Sequence, residues 1–149
     1  MPKILPPAIV FDIDGTITDI THRRQFVKQS PKDWDSFNTR MKDDLLQRWA
    51  KRFIKDLRLR HKIILITGRE ERFREITITW LKEKGIPFDL LLMRSTGDKT
   101  DDHEIKREFY QRHVEGQYDV VAVFEDRGRC VEMWRGLGLT CLQCDKGDF

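Results

Sequence analysis

Short, continuously apolar runs alternate with longer, charge-rich stretches along most of the chain. The runs are residues 8–13, 62–66, 90–93, 120–124 and 140–142. An apolar run without alternation is typical of a strand that is covered on both faces. The stretches 43–60, 70–84, 101–113 and 128–137 predict helices, and Gly85 and Gly138 end the second and the fourth of them. This order predicts a three-layer, Rossmann-like α/β fold, in which a parallel sheet of about five strands carries helices on both faces.

The segment after the first predicted strand breaks this alternation. Residues 19–42 are too many for a simple turn and mix Arg, Lys, Trp and Phe around a Ser-Pro pair. We expect a small cap insertion above the carboxyl end of the first strand, where open parallel sheets bind ligands. Trp34 and Phe37 of this insertion either pack inside the cap or offer a surface on which a nucleic-acid base stacks.

The composition suits one domain that spans residues 1–149. The chain has 28 basic and 25 acidic residues, and the resulting net charge of +3 allows a polyanionic partner without requiring one. No apolar run is long enough for a membrane span, and the N-terminus lacks the layout of a signal peptide. We therefore expect a cytoplasmic protein that does not bind a membrane.

The three cysteines predict neither a disulfide framework nor a zinc site. Cys141 and Cys144 form a CxxC pair that could act in redox chemistry or supply half of a zinc site. A structural zinc site needs four ligands, and Cys130 is the remaining cysteine. Buried thiols on the last strand and the helix before it are the favoured interpretation.

Polar residues follow the first two predicted strands at the point where each strand ends. Asp12 and Asp14 come at the end of the first strand, where two carboxylates beside a glycine suit a hard cation. Thr67, Gly68 and Arg69 follow the second strand. A hydroxyl, an exposed backbone N–H and a guanidinium together can hold an oxyanion.

Two further signals complete the set. Glu125 and Asp126 end the fourth predicted strand and add carboxylate oxygens, and Lys106 lies on the helix that leads into that strand. Each signal alone has an ordinary explanation, because acidic turns and solvated helix lysines are common. Their occurrence together, always at strand ends, predicts one site at the edge of the sheet.

The order of acid pair, hydroxyl, lysine and acid pair resembles the haloacid dehalogenase-like (HAD) phosphatase superfamily. DxDGT at residues 12–16 is the most specific part, and the resemblance covers essentially the whole chain. It implies a sheet in which the first strand is central, the second and third lie on one side, and the fourth and fifth lie on the other. Both acid pairs would then meet where the strand order reverses.

The same resemblance implies a mechanism. Asp12 would be the nucleophile that forms an aspartyl-phosphate intermediate. Asp14 would protonate the leaving group and then activate water, which requires a raised pKa in the first step. Thr67 would donate a hydrogen bond to the phosphoryl group, and Lys106 would offset negative charge.

A magnesium ion is the cofactor that the resemblance implies. Its ligands would be Asp12, the backbone carbonyl of Asp14, and Asp126, with Glu125 reaching the ion directly or through water. Many members of the superfamily have aspartate where this chain has Glu125, so the longer side chain changes the expected metal geometry without abolishing activity.

The second half of the chain resembles the 3′-phosphatase domain of T-even bacteriophage polynucleotide kinase. The matching positions are Gly97-Asp98, Asp101-Asp102, Lys106, the acidic pair, Arg127, residues 131–135 and Gly147-Asp148-Phe149. The cap fits that domain poorly. The resemblance implies removal of a 3′-phosphate from DNA or RNA ends, favours a phage source, and suggests a separate kinase or ligase as partner. A GxxxxGK(S/T) loop is absent from the sequence, so no kinase domain is predicted.

The same resemblance places five residues on the substrate. Arg69 and Arg94 match phosphate-contacting positions, Arg23 matches a third one less closely, and Gly68 and Arg127 complete the set. Arginines around an acid cluster can hold the phosphates of a strand end.

Two alternatives stay open at this point. One is a HAD phosphatase that acts on nucleotides or other small phosphates. The other is a non-catalytic module that binds nucleic acid or a partner protein. The presence of both Asp12 and Lys106 argues against the second, because a binding module does not need a nucleophile.

Overall fold

The computed structural model describes residues 1–147, and Asp148 and Phe149, the end of the resemblance noted above, lie outside the described residues. The strands are β1 Pro7–Phe11, β2 Thr18–Asp19, β3 Leu45–Leu46, β4 Lys62–Glu70, β5 Leu90–Arg94, β6 Asp119–Arg127 and β7 Cys141–Gly147. Five of them form a sheet in the order β5-β4-β1-β6-β7, with every neighbouring pair parallel. The predicted parallel sheet and its strand order are confirmed.

Helices cover both faces of this sheet. They are α1 Thr21–Lys28, α2 Trp34–Thr39, α3 Arg48–Leu57, α4 Arg74–Glu83, α5 Asp102–Phe109 and α6 Gly128–Gly136. On one face, Ile54 of α3 and Trp80 of α4 pack in one hydrophobic core with alternate residues of β1 and β4. On the other face, Val131 and Trp134 of α6 pack in a second core. The predicted three-layer architecture is therefore confirmed.

Several predicted boundaries are wrong. The helix predicted from residue 43 begins at Arg48, because Leu45 and Leu46 pair with Thr18 and Asp19 as an antiparallel β-ladder. The strand predicted to end at residue 66 runs to Glu70, since its ladder with β5 resumes there after a register shift. The helix predicted to reach residue 113 ends at Phe109 and continues as a π-helical turn, Tyr110–Val114.

The insertion after β1 forms a small cap above the sheet. The β2–β3 ladder is its base, and α1 and α2 lie between these two strands in the chain. Ile20, Val27 and Phe37 form its core. Phe37 is buried, whereas Trp34 is 43% exposed and meets the Phe37 ring edge-on at 5.7 Å. Phe37 therefore packs inside the cap, and Trp34 alone of this pair presents an exposed ring.

The cysteines and the helices bear on two earlier expectations. Cys130 and Cys141 are buried, Cys144 is half-buried, and all three are free thiols, as expected. Among residues 1–147, the helices are all too short or too polar to cross a membrane.

Candidate active site

Asp12 lies at the carboxyl end of the central strand. Its backbone N–H donates to the carbonyl of Phe124 on β6, which fixes the main chain between the two strands. Its buried carboxylate accepts a hydrogen bond from Lys106 Nζ at 2.8 Å on Oδ1 and from Thr16 Oγ1 at 3.3 Å on Oδ2. These contacts hold both oxygens in fixed positions.

Asp12, Glu125 and Asp126 form a buried acid cluster. One carboxylate oxygen from each residue lies within 4.8 Å of the others. Burial, followed by the charge of Asp12, raises the pKa of Glu125 to about 7. The same two causes, together with the Glu125 charge, raise the pKa of Asp126 to about 10. The nearby charge of Lys106 therefore offsets only part of the negative charge of the cluster.

The shape of this cluster fits a divalent cation. Asp126 Oδ2 is buried and has no hydrogen-bond partner among the described residues. The main chain approaches this carboxylate so closely that a Cβ added at Gly15 or Gly147 would overlap it. Three carboxylates that converge in this way supply the oxygen donors that Mg²⁺ binds. The Asp14 side chain is not part of this cluster. The metal ligand that the sequence predicts from Asp14 is its backbone carbonyl.

Lys106 connects the cluster to helix α5. Its ammonium contacts Asp12 at 2.8 Å, Glu125 at 2.9 Å and Asp102 at 3.4 Å, and the side chain is 1% exposed. Burial lowers its pKa, but the charges of Asp102 and Asp12 outweigh burial and raise the pKa well above its usual value. Lys106 is therefore a permanent positive charge beside the Asp12 carboxylate.

Thr67 and Gly68 lie on the neighbouring strand β4. Thr67 is fully buried, and its Oγ1 accepts a hydrogen bond from the Arg69 N–H at 3.1 Å. That contact uses a lone pair of the hydroxyl and leaves its proton for another acceptor. The Gly68 carbonyl accepts from Arg94 Nε at 2.9 Å.

Asp14 is held by two arginines. Arg69 approaches its carboxylate through Nε at 3.1 Å and Nη2 at 2.7 Å, and Arg23 donates at 2.5 Å. Burial raises the pKa of Asp14, but the charges of Arg69 and Arg23 outweigh burial and hold the pKa well below its usual range. The predicted raised pKa is therefore wrong, and Asp14 is ionised in this structure.

A second buried carboxylate, Asp44, holds the same two arginines from the cap side. Arg23 donates to it through Nε at 2.7 Å and Nη2 at 2.6 Å, and Arg69 Nη2 lies 3.4 Å away. Trp80 Nε1 donates to its backbone carbonyl at 3.0 Å. The guanidiniums of Arg23 and Arg69 thus lie between Asp14 and Asp44, an arrangement that positions Asp14 and leaves few donors for a phosphate.

The sequence analysis missed Asp44 because it was placed at the start of a predicted helix. It directly precedes Leu45, so the strand signal of Leu45 and Leu46 would have placed it at the base of the cap instead.

Arg94 and Arg127 lie on the other side of the site, around Asp102. Arg127 Nη1 is 3.3 Å from Asp102 Oδ2, and Arg94 Nη2 is 3.6 Å from Asp102 Oδ1. Their side chains are 21% and 14% exposed, so both reach the surface at the edge of the site. Asp102 was noted only as part of the resemblance, although its position one turn before Lys106 places both residues on one face of α5.

Comparison with known proteins agrees with this geometry. Residues 6–149 match the model of the polynucleotide kinase PNKP phosphatase domain. A protein of Autographa californica nuclear polyhedrosis virus, with the assigned name bifunctional polynucleotide kinase/RNA ligase, is 28% identical over 138 residues. That match covers 89% of this chain and 18% of the viral protein.

Solved structures show the same relationship. A chain of a Pnkp1/Rnl/Hen1 complex superposes with a TM-score of 0.84 at 35% identity, covering 97% of this chain and 48% of that one. A haloacid dehalogenase-like hydrolase of Streptococcus pneumoniae, 14% identical, superposes with a TM-score of 0.62 and covers 93% of this chain and 84% of that one. This chain thus spans less than half the length of its viral relative and of the complex subunit. The chain belongs to the PNKP phosphatase-domain family of HAD-fold enzymes and is a phosphatase.

Proposed function

We propose that this chain is a magnesium-dependent phosphomonoesterase that removes the 3′-terminal phosphate of a polynucleotide through an aspartyl-phosphate on Asp12. The observation that carries this proposal is the buried Asp12 carboxylate, which Lys106 holds at 2.8 Å beside two further carboxylates. A carboxylate that is held in one position in this way is suited to attack a phosphoryl group in line.

The reaction has two steps. An oxygen of Asp12 attacks phosphorus, the bond between phosphorus and the 3′ oxygen breaks, and the departing oxygen takes a proton from Asp14. Water then attacks phosphorus of the acyl phosphate, Asp14 takes a proton from it, and inorganic phosphate leaves with Asp12 restored. Asp14 is ionised, as the base of the second step must be, but its two arginines make it a weak base, so proton uptake requires that they loosen their contact with it. Its acid role requires that Asp14 first takes up a proton from solvent, which the charge of the entering phosphate favours by raising the Asp14 pKa.

The surrounding groups offset the charge of the transferred phosphoryl. Lys106 contributes a fixed positive charge, the Thr67 hydroxyl donates a hydrogen bond, and the Gly68 N–H is a further donor. Asp12, Asp126 and the backbone carbonyl of Asp14 would hold magnesium, with Glu125 bound directly or through water. A bound magnesium ion supplies further positive charge at the phosphoryl oxygens.

Polynucleotide ends are the substrate class that the family supports. One relative is named as a polynucleotide kinase/RNA ligase, and another is a subunit of the Pnkp1/Rnl/Hen1 RNA repair complex. These names favour RNA ends, and they favour a 5′-kinase and a ligase as partners of this phosphatase. Arg127, whose side chain is 21% exposed, lies at the edge of the site and is suited to contact the phosphate next to the 3′ end. Arg94 is already bound to Gly68, Asp98, Thr100 and Asp102, so it supports this edge of the site from within.

The first test is phosphate release, with and without magnesium, from short RNA and DNA oligomers carrying either a 3′- or a 5′-phosphate. A 3′-mononucleotide and the Asp12→Asn variant are run in parallel. Magnesium-dependent release from 3′-phosphorylated oligomers, absent in Asp12→Asn, is expected. Release from the mononucleotide with both oligomers left intact would establish a small-molecule phosphatase instead.

A second test addresses the intermediate. After acid quenching of a reaction with ³²P-labelled substrate, label bound to the wild-type protein and removed by mild base is expected, with none on Asp12→Asn. Label that accumulates equally on Asp12→Asn would contradict Asp12 as the nucleophile.

A further inference from the structure

A basic groove lies between helices α5 and α6, outside the acid cluster. It has a volume of about 560 Å³ and is lined by His103, Arg107, Arg129, Glu132, Met133, Gly136 and Leu137. Arg107 and Arg129 are exposed, and His103 is partly exposed. The two arginines and the histidine face a single acid, Glu132, so the lining favours an anion.

The two arginines of the groove have no charged partner within the described part of the chain. Within residues 1–147, neither Arg107 nor Arg129 makes an ion pair or a side-chain hydrogen bond. Other arginines of the same region do: Arg112 pairs with Glu108 at 3.2 Å, and Arg135 donates to the carbonyl of Cys141 at 3.1 Å. The donors of Arg107 and Arg129 are therefore available to a ligand.

The groove starts in the same first turns of α5 and α6 that border the catalytic site. His103 follows Asp102, which contacts Lys106 at 3.4 Å and Arg127 at 3.3 Å, and Arg129 lies in the first turn of α6, two residues after Arg127. From His103 the groove continues along α5 to Arg107, one helical turn or about 6 Å farther. A chain whose 3′ end reaches Asp12 past Arg127 can therefore continue into it.

We propose that this groove binds internucleotide phosphodiesters upstream of the 3′ end, so that Arg107 and Arg129 make the enzyme prefer a polynucleotide to a mononucleotide. This inference rests on the proposed function and adds the part of the site that recognises the chain rather than its terminal phosphate. Arginine donates to phosphate oxygens without regard to base sequence, so the groove contributes affinity and no sequence preference. Glu132 weakens this affinity by repulsion.

The test compares kcat/KM for a 3′-phosphorylated hexanucleotide and a 3′-mononucleotide. In Arg107→Ala/Arg129→Ala, the ratio of the two values is expected to fall about tenfold, mainly through a higher KM for the hexanucleotide. The slope of log kcat/KM against log salt should become shallower by about 1.4, because two phosphate contacts to a single strand are lost. Arg107→Lys/Arg129→Lys should retain most of the ratio, and Glu132→Gln should increase it.

The matched control also removes two arginine charges, but from a part of the surface away from the groove. Arg58 and Arg60 are exposed and lie just before the amino end of β4, opposite the catalytic edge. Arg58→Ala/Arg60→Ala should leave both the ratio and the salt slope unchanged. An unchanged ratio in Arg107→Ala/Arg129→Ala, with wild-type thermal stability, would overturn the groove proposal while leaving 3′-phosphatase activity intact. Wild-type protein that never acts on the hexanucleotide would overturn the proposed function, and the groove with it.

Discussion

Asp44 binds Arg23 through two hydrogen bonds of 2.7 Å and 2.6 Å, and both side chains are completely buried. This pair joins the residue just before β3 to helix α1 of the cap. Because Arg23 also donates to Asp14, the position of the Asp14 carboxylate depends on Asp44, which lies 30 positions farther along the chain.

Replacing Asp44 should damage both stability and activity. Asp44→Asn leaves Arg23 and Arg69 with a single carboxylate, and breaking a buried pair costs about 3–5 kcal/mol of unfolding free energy. Misplacement of Asp14 should lower kcat/KM by about a hundredfold. Chemical denaturation and steady-state kinetics measure the two effects. Asp43→Asn, the adjacent exposed acid, is the control and should change unfolding free energy by less than about 0.5 kcal/mol.

Gly15→Ala should remove magnesium binding. Gly15 has a φ of +84°, and an added Cβ would overlap the Asp126 carboxylate. Gly97 has a φ of +85° and no atom near its missing Cβ, so Gly97→Ala reproduces the backbone strain without the overlap. Both variants should lose about 1–2 kcal/mol of stability. Only Gly15→Ala should weaken magnesium binding by calorimetry, and equal magnesium affinities would contradict a cation site at Asp126.

Lys106→Met should lower kcat by about 10²–10³-fold, because a fixed positive charge beside the phosphoryl group is lost. The exposed Lys99, in the loop after β5, provides the control, and Lys99→Met should keep wild-type kcat. Single-turnover kinetics separate the chemical step from binding. A loss confined to KM would show that Lys106 binds substrate without contributing to the chemical step.

The metal-free protein should lose stability as pH rises. The folded pKa of Glu125 is about 7 and that of Asp126 about 10, both above their ordinary values. Their contribution is therefore fully present below the unfolded pKa and is lost as pH rises through the folded pKa. With EDTA, Tm should fall between about pH 5 and pH 9.

Magnesium should reverse this trend. It binds the ionised carboxylates, so the increase in Tm that it produces should be larger at about pH 9 than at about pH 5. Asp126→Asn should flatten the pH dependence and reduce the magnesium effect. A metal-free Tm that rises over the same range would contradict the raised pKa values.

The sheet could be predicted from the sequence because its signal is local. The apolar runs of β1 and β6 contain their own strand signal, and Asp12 and Asp126 follow from the rule that parallel strands end at one edge. The beginning of α3 could not be predicted in this way. Residues 43–47 have a composition compatible with a helix, and only pairing with Thr18 and Asp19 makes Leu45 and Leu46 a strand.

The electrostatics of the site were harder to predict than its residues. The Asp14 pKa was expected to be raised, by the neighbouring carboxylate and by a cap that excludes water. In the fold, Arg69 and Arg23 reach it from β4 and from the cap, and their charges reverse the sign of the shift. Contacts between residues 55 positions apart, as for Arg69 and Asp14, have no signature in local sequence.

The double attachment of Arg23 limits how this enzyme can diversify. Arg23 is bound both to Asp14, in the loop after β1, and to Asp44, just before β3. The cap therefore cannot be exchanged independently of the rest of the site. A cap transplanted from another phosphatase would have to bring its own partner for Asp14 or leave that carboxylate held by Arg69 alone. Selection for new substrates is therefore expected to change exposed residues of the cap, such as Trp34, and to leave Arg23 and Asp44 unchanged.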